Sequence, residues 1–222
     1  MWQKGVPIKS VGPNIALDNK VITMDETLQQ VSIERAHMAA THQALDRVLQ
    51  RAKKDGRPFP DFYRSCAEYL EFIMGRFHAQ DQGHLDDVKP LVPKEEVESW
   101  KLLNEVEAAF KKGKGEVAKL IAAMQRFQDQ GPDGCAEFEE VARAYADFFK
   151  QQTAKLKHSI RYLMAEHLPP EQFRANSNVT EESIRKEKEL FAKLEASMPE
   201  GMKVEVHLER PEDAPAPPHQ ED

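Results

Sequence analysis

The residues best suited to chemistry in this chain lie between Phe77 and His84, a segment that contains two histidines and an aspartate. Upstream of it, apolar residues recur at helical spacing, namely Cys66, Tyr69, Leu70, Ile73, Met74 and Phe77. Continuing that stripe by steps of three or four reaches Gln80 or Asp81 and then His84. Because an unpartnered carboxylate or imidazole is costly to bury, these positions predict an interior counter-charge, hydrogen-bond network or metal.

Two other expected helices carry polar interruptions of the same kind. His42 stands between Met38 and Leu45 on an apolar face, and Gln152 interrupts the stripe of a later helix. Ligand sites in helical bundles are built in the core from side chains on facing helices. We therefore expect His42 and Gln152 to approach the segment Phe77–His84 at one level of the core.

The spacing of the acids and histidines is compatible with two kinds of site. Asp81 and His84 are three positions apart and share one helix face, as do Glu34 and His37. Imidazole and carboxylate ligands on facing helices suit iron, manganese or zinc. The same groups also supply the donors and acceptors of a metal-free network, in which Lys114 neutralises the remaining charge.

Local signals place the first two helices that position these residues. Thr23 and Glu26 have the form of a capping box, which predicts the start of a long helix that ends near Gly56. The second helix is expected to begin at Asp61 as its N-cap and to end near Val88, before two prolines.

The third and fourth helices follow from similar signals. The third begins near Glu95, and the glycines of Gly113–Gly115 predict a bend or break within it. The segment Gly131–Gly134 predicts a turn. A fourth helix then carries apolar residues from Phe138 onward and stops before Pro169.

These elements predict an all-α fold, an up-down-up-down four-helix bundle formed by residues 23–170. Residues 1–22 contain two prolines and two glycines and are expected to form an extended arm. An additional helix is expected over 178–198, capped by Thr180 or Asn178. Residues 199–222 are expected to be an extended, disordered acidic tail, in which Lys203–Leu208 alternates like an edge strand.

Composition excludes several classes of function. The net charge of -7 and the pI near 5.7 argue against a nucleic-acid surface, which needs a basic face. Cys66 and Cys135 are the only cysteines, so we expect neither a disulfide framework nor a thiolate zinc site. The sequence has no apolar run of signal-peptide or membrane-spanning character. We therefore expect a soluble cytoplasmic protein with no membrane partner.

Three segments carry a resemblance to a known family. They are Thr41–Leu49, which contains His42, the run from Phe72 to His78, and Tyr145–Leu168. Through these segments, residues 25 to 170 resemble the hemerythrin-like, or HHE cation-binding, family. Members of that family bind a non-heme di-iron centre through histidines and bridging carboxylates. They use it for oxygen binding, iron or redox sensing, or peroxide and nitric oxide chemistry.

The resemblance retains some of the family's ligand positions and replaces others. His42 occupies the first-helix histidine position. In an ungapped register His78 occupies the second-helix histidine position, and Gln82 stands where the family has glutamate. A shifted register places Gln80 and His84 at those two positions instead.

The remaining family positions are also substituted. The third-helix histidine region falls near Lys114, and the fourth-helix positions fall near Gln152 and Leu156. Substituted ligands outnumber retained ones, so we favour a metal-free polar core over an intact di-iron site.

Two functional hypotheses follow. The first is a divergent hemerythrin-like binding or sensing module, not a turnover enzyme, with Gln152 and Lys114 in its polar core. Its partner would be another protein, a second copy of the chain, or a small molecule in the bundle core. The alternative is a non-heme iron, manganese or zinc protein that handles oxygen, nitric oxide or peroxide. Its ligands would be His42, Asp81 and His84, with His78 as the alternate.

Overall fold

The computed structural model of the chain describes residues 23–168, 172 and 176–208; it does not describe the side chains of Met24, Pro132 and residues 152–166. The described residues form helices and no strand, which confirms the expected all-α class. The helices are α1 (Met24–Asp55), α2 (Pro60–Val88), α3 (Val97–Gln130), α4 (Cys135–His167) and α5 (Glu181–Ala196), with a 3₁₀ turn at Gly131–Gly134. Within the described residues, no helix combines the length and apolarity that a bilayer crossing requires.

Helix α1 begins and ends where its local signals predict. The Thr23 hydroxyl accepts from the Glu26 backbone N–H, and the Glu26 carboxylate accepts from the Thr23 backbone N–H. At the other end Gly56 adopts a left-handed conformation with φ of 65°, which a residue without a Cβ adopts at little cost. The capping box and the glycine stop of the first helix are therefore confirmed.

Helices α2 and α3 differ from expectation at two points. The N-cap of α2 is Phe59, and Asp61 lies in the first turn because Pro60 occupies the first helical position, where its missing N–H costs nothing. Helix α3 continues through Gly113–Gly115, so of the expected bend or break the break is wrong. The buried side chains of Phe110 and Val117 on either side of the glycines hold this stretch against the core.

Contacts between side chains show how neighbouring helices run. Lys89 pairs with Glu107, and a Cβ at Gly113 would lie against His78, so α2 and α3 are antiparallel. Arg126 pairs with Glu137, and Lys112 lies over the ring of Phe148, so α3 and α4 are antiparallel too. Helix α1 packs on α2, α4 and α5, and α2 also contacts α4 and α5.

Most of the apolar core lies in one cluster. Its largest fully buried side chains include Tyr63, Tyr69, Phe138 and Tyr145. A smaller cluster lies between the end of α2 and the start of α3 and contains Leu85, Val88, Val92, Leu103, Val106 and Phe110. Two apolar clusters therefore occupy different parts of the α2 and α3 interface.

Helix α5 covers α1 and α2. Thr180 caps it through Ser183, and its inner face buries Glu187, Leu190, Phe191 and Leu194. The Lys203–Leu208 segment, expected as an edge strand or an extended segment, has no strand partner among the described residues. It lies against α1, where Arg47 donates to the Glu205 carboxylate and to the Lys203 carbonyl, both at 2.7 Å. The expected N-terminal arm and residues 209–222 lie outside the described residues.

Candidate functional site

His42 is buried where α1 meets α4. Its Nδ1 lies 2.7 Å from the Met38 carbonyl oxygen, and its Nε2 lies 2.8 Å from the Tyr145 hydroxyl. Because a carbonyl can only accept, Nδ1 carries the proton and donates it to Met38, and Nε2 accepts from Tyr145. The imidazole also stacks on Phe149, with the ring centroids 3.3 Å apart. Burial lowers the pKa of His42 to about 3, so the ring is neutral near neutral pH.

This arrangement resembles a metal-binding histidine in one respect. An Nδ1–H bonded to a carbonyl aims the Nε2 lone pair outward, as metal ligation requires. Here the Tyr145 hydroxyl lies in that direction. Among the described residues, no group of three or more His, Cys, Asp or Glu side chains is arranged to hold a metal ion. The described donors around His42 therefore do not fit a di-iron centre.

His78 is buried on the face of α2 that meets α3. Its Nε2 would lie 3.3 Å from a Cβ built at Gly113, so the absence of a side chain there makes room for the imidazole. Burial lowers the pKa of His78 to about 4, and the positive charge of Lys114 acts in the same direction. Lys114 itself is exposed at the edge of this contact. Gln82, four residues after His78, donates to Asp86 on an exposed part of α2.

His84 is also buried, so either register of the second helix places a histidine in the interior. Its Nε2 lies 3.4 Å from the Gln80 amide nitrogen, and its Nδ1 lies 3.3 Å from the Asn176 amide nitrogen. Asn176 also donates to Asp87 at 2.6 Å. Burial, with a further contribution from the positive charge of Arg35 and an opposing one from Asp87, lowers the pKa of His84 to about 4.

Asp81 pairs with α1 and lies one turn from His84. Its carboxylate is 3.5 Å from the Arg35 guanidinium, which also lies over the ring of Phe77. Burial raises the pKa of Asp81, while Arg35 opposes that change. The counter-charge that the sequence predicted for a buried acid at this position is therefore Arg35.

The structure does not bring His42 to the other expected ligands. The Tyr145 hydroxyl bonded to His42 interacts electrostatically with Cys66 of α2. Position 84 lies about 27 Å farther along α2 than position 66, at 1.5 Å per residue. His42 and His84 thus belong to different levels of the interior. The Gln152 side chain lies outside the described part of the chain, and the ligand roles of all these residues stay predictions.

A polar cluster lies between α1, α2 and the segment before α5. Only indirect signs of it are present in the sequence. Arg76 donates to the fully buried Glu34 carboxylate, which also accepts from Gln30 at 3.1 Å. The other end of the guanidinium donates to the carbonyls of Ser177 and Asn178, at 3.3 and 2.8 Å. Burial raises the pKa of Glu34, and Arg76 opposes it.

Helix α5 adds a second carboxylate to this cluster. Glu187 is fully buried, and its Oε1 lies 2.7 Å from His37 Nδ1 and accepts from the Tyr69 hydroxyl at 3.0 Å. The His37 ring stacks on Phe191, with centroids 3.8 Å apart. Glu187 Oε2 is buried with no hydrogen-bond partner among the described residues. We call the set Gln30, Glu34, His37, Tyr69, Arg76 and Glu187 the α5 polar cluster.

Two signals in the sequence point to the α5 polar cluster. Glu34 and His37 share a helix face by their spacing of three. Glu187 stands three positions after Ile184 and three before Leu190, so it interrupts an apolar stripe in the way that Asp81 does. An acid on the apolar face of a helix is therefore the sequence signal for the α5 polar cluster.

A surface groove of about 590 Å³ lies along the start of α3, lined by Lys94, Val97, Trp100, Lys101, Asn104, Glu105 and Ala108. It is on the outside of the molecule, away from the buried histidines, and Val97 at its edge is 70% exposed. It is therefore separate from the core position expected for a small-molecule ligand.

No protein-family model matches the chain, and neither a curated protein nor a solved structure matches it. The hemerythrin-like resemblance accordingly rests on the segments around His42, His78 and Tyr145 and stays a prediction.

Proposed function

We propose that this protein is a binding or sensing module on a divergent hemerythrin-like scaffold, in which hydrogen-bonded polar groups replace the di-iron centre. The observation that carries the proposal is the bond between the Tyr145 hydroxyl and His42 Nε2, at 2.8 Å. Because Nδ1 carries the proton, Nε2 is the nitrogen whose lone pair a metal ion would bind, and it accepts this bond. A neutral imidazole with a proton on Nδ1 has no second lone pair to offer.

The scaffold of the proposal is an up-down-up-down four-helix bundle. Helices α2 and α3 are antiparallel, α3 and α4 are antiparallel, and α1 packs against both α2 and α4. A closed ring of four helices with short connections requires these neighbours. The connections also favour it, since α1 and α2 are separated only by Gly56–Phe59.

The signalling surface of the proposal is the outer face of α5. Its inner face is anchored by Leu190, Phe191 and Leu194, and its outer face exposes Glu and Lys side chains. A buried ionisable residue, Glu187, connects this helix to α1 and α2. A change in the core therefore has a direct route to the surface on which a protein partner or a second copy of the chain would bind.

Metal analysis tests the proposal against the alternative. Protein produced with iron, manganese and zinc available and purified without chelator is expected to contain none of them in stoichiometric amount. Stoichiometric iron that is lost in a His42→Ala, His84→Ala double variant would contradict the proposal. That result would support a non-heme metal protein that handles oxygen, nitric oxide or peroxide.

Native mass spectrometry tests the binding half of the proposal. We expect the purified chain to carry an organic ligand or to associate with a second copy or a partner protein. For a partner that binds α5, charge reversal on the outer face at Lys188 and Glu189, both exposed, should weaken the complex. The matched control is charge reversal at Lys101 and Glu98 on α3, also exposed, which should leave it unchanged. Equal weakening by both variants would contradict a role for α5.

A further inference from the structure

The surface groove along the start of α3, between Lys94 and Ala108, combines apolar side chains with carboxylates. We call it the α3 groove. Val97 is 70% exposed at its edge, and the half-buried indole of Trp100 is held in place by donating to the Pro93 carbonyl at 3.1 Å. Apolar side chains gain free energy when they leave water, so this surface is suited to contact with an apolar segment.

The exposed large apolar side chains of the described residues are concentrated at the end of the molecule where α1 begins. Three of them lie there: Leu28 near the start of α1, Leu91 in the connection between α2 and α3, and Val97 in the α3 groove. The others, Val206 and Leu208, belong to the extended segment that follows α5. An apolar segment that crosses the first of these regions would cover several exposed side chains at once.

Residues 1–22 join the described part of the chain at this same end of the molecule. Glu34 contacts Arg76, so the start of α1, ten residues earlier, is about level with position 86 of the antiparallel α2. Lys89 contacts Glu107, so position 86 is in turn about level with the end of the α3 groove. The groove and the junction with residues 1–22 therefore lie at similar heights along the bundle.

The segment is long enough to reach the groove. Helices α1 and α3 both pack on α2. Because packed helix axes are about 8–10 Å apart, the way from Thr23 across the surface to the α3 groove is about 20–30 Å. An extended chain spans up to about 3.3 Å per residue, so the 15 residues between Ile8 and Thr23 span up to about 50 Å. Ile8 can therefore lie in the groove with chain to spare.

The composition of residues 1–22 complements that of the groove. They contain three lysines and one aspartate, whereas the net charge of the whole chain is -7. Residues 94–108 contain five glutamates and two lysines, and Glu98 and Glu105 are exposed. In an extended chain Val6 and Ile8 project from the same side, and the run Lys4–Lys9 places a lysine at each end of them. The proline between Val6 and Ile8 disfavours a helix there.

We infer that residues 1–22 dock across this end of their own chain, with Val6 and Ile8 in the α3 groove and the neighbouring lysines beside its glutamates. Burial of the apolar pair supplies the attraction, and opposite charges set the orientation. The docked segment excludes other apolar peptides from the groove. The inference goes beyond the proposed function, because it concerns a surface that is separate from the buried histidines.

Paramagnetic relaxation on the full chain measures the docking. A nitroxide attached at Ser10→Cys lies two residues from Ile8, and Cys66 and Cys135 are buried away from the labelling reagent. Backbone amides of α3 at positions 101–108 should be strongly broadened. Amides near position 125, about 32 Å farther along the same helix than position 104, should not be. An undocked chain of this length could reach both regions, so equal broadening of both, or broadening of neither, would overturn the inference.

A mixed sample distinguishes the chain's own segment from that of a second copy. It contains spin-labelled chains without isotope and isotope-labelled chains without a nitroxide, so any broadening arises between molecules. We expect none at positions 101–108 in this sample. Broadening there would show that the segment of a second copy occupies the groove, and would overturn docking within one chain.

A variant of the groove assigns the docking to its apolar surface. Val97→Lys removes an exposed apolar side chain and adds a charge that repels the lysines of the segment, so the broadening at positions 101–108 should fall at least about threefold. Leu208→Lys is the matched control, because Leu208 is also an exposed apolar side chain, 59% exposed, but lies outside the groove. Its broadening should equal that of the native chain. Native broadening in Val97→Lys, or an equal loss in both variants, would contradict docking at the α3 groove.

Discussion

The hydrogen bonds of His42 fix its tautomer and its charge. Met38 accepts from Nδ1 and Tyr145 donates to Nε2, and burial of the ring disfavours a second proton. A buried acceptor that loses its donor costs about 1–3 kcal/mol, more than the bond itself contributes. The histidine and the tyrosine therefore stabilise the core as a pair.

Removal of the Tyr145 hydroxyl should leave His42 Nε2 buried without a hydrogen-bond donor. Tyr145→Phe is expected to lower the free energy of unfolding by about 1–2 kcal/mol, measured by urea denaturation. Tyr63→Phe is the matched control, because its hydroxyl donates to Glu139, which also accepts from Arg143 and is partly exposed. Tyr63→Phe should lower the free energy of unfolding by less than Tyr145→Phe does. A larger loss in the control would contradict the pairing of His42 with Tyr145.

The lowered pKa of His42 predicts how stability depends on pH. The unfolded chain binds the proton near pH 6.5 and the folded chain near pH 3, so stability falls as pH is lowered between these values. The maximum slope for one such group is about 1.4 kcal/mol per pH unit. His42→Gln should therefore lose less stability than the native chain between about pH 6 and 4 in urea titrations. Equal slopes would show that His42 is charged when folded.

On the scale of the elements, α3 shows how tertiary contacts give two nearby glycines different roles. Gly113 faces His78 of α2, whereas a Cβ at Gly115 would meet nothing within 4 Å. Each glycine costs about 1 kcal/mol relative to alanine in a helix interior. The helix stays continuous because its buried face packs on α2 and α4 along the whole length.

Alanine at these two positions should have different effects. Gly115→Ala is expected to raise the free energy of unfolding by about 1 kcal/mol. Gly113→Ala should gain less, since its Cβ would press on His78 Nε2 at 3.3 Å. Thermal and urea denaturation of both variants make the comparison. Equal gains would mean that His78 is not packed against α3.

Arg76 joins α2 to α1 and to the segment before α5, and its loss should affect all three. Arg76→Met leaves Glu34 buried without its counter-charge, which is expected to cost about 3–5 kcal/mol. Arg126→Met is the matched control on an exposed pair with Glu137 and should cost less than about 1 kcal/mol. Similar losses in urea denaturation would contradict a buried ion pair at Glu34.

For the molecule as a whole, local signals predicted the elements and left their pairing open. The Thr23 capping box, Gly56 and the Gly131–Gly134 turn depend on neighbours within a few residues, so the sequence alone locates them. The partner of His37 is Glu187, which is 150 positions away. No local pattern specifies such a pair.

The difference between local signals and distant pairings also explains how much of the candidate site could be predicted. The sequence predicted that Asp81, His84 and His42 are polar interruptions of apolar faces, and all three side chains are mostly shielded from solvent. It could not predict that their partners are Arg35, Asn176 and Tyr145, because each of these lies on another segment and depends on which faces meet and at what level. The burial of these side chains could be predicted from the spacing of the apolar residues along each helix. Their partners depend on how the helices pack against one another.

Nitrogen NMR of the His42 ring distinguishes a hydrogen bond from Tyr145 to Nε2 from a metal ion bound there. In protein produced with iron available and purified without chelator, we predict a protonated Nδ1 and an unprotonated Nε2 that accepts from Tyr145. Their shifts should be unchanged from about pH 8 to 5, because the pKa is lowered to about 3. Resonances broadened or shifted by a bound metal, or a second proton gained near pH 6.5, would contradict this prediction.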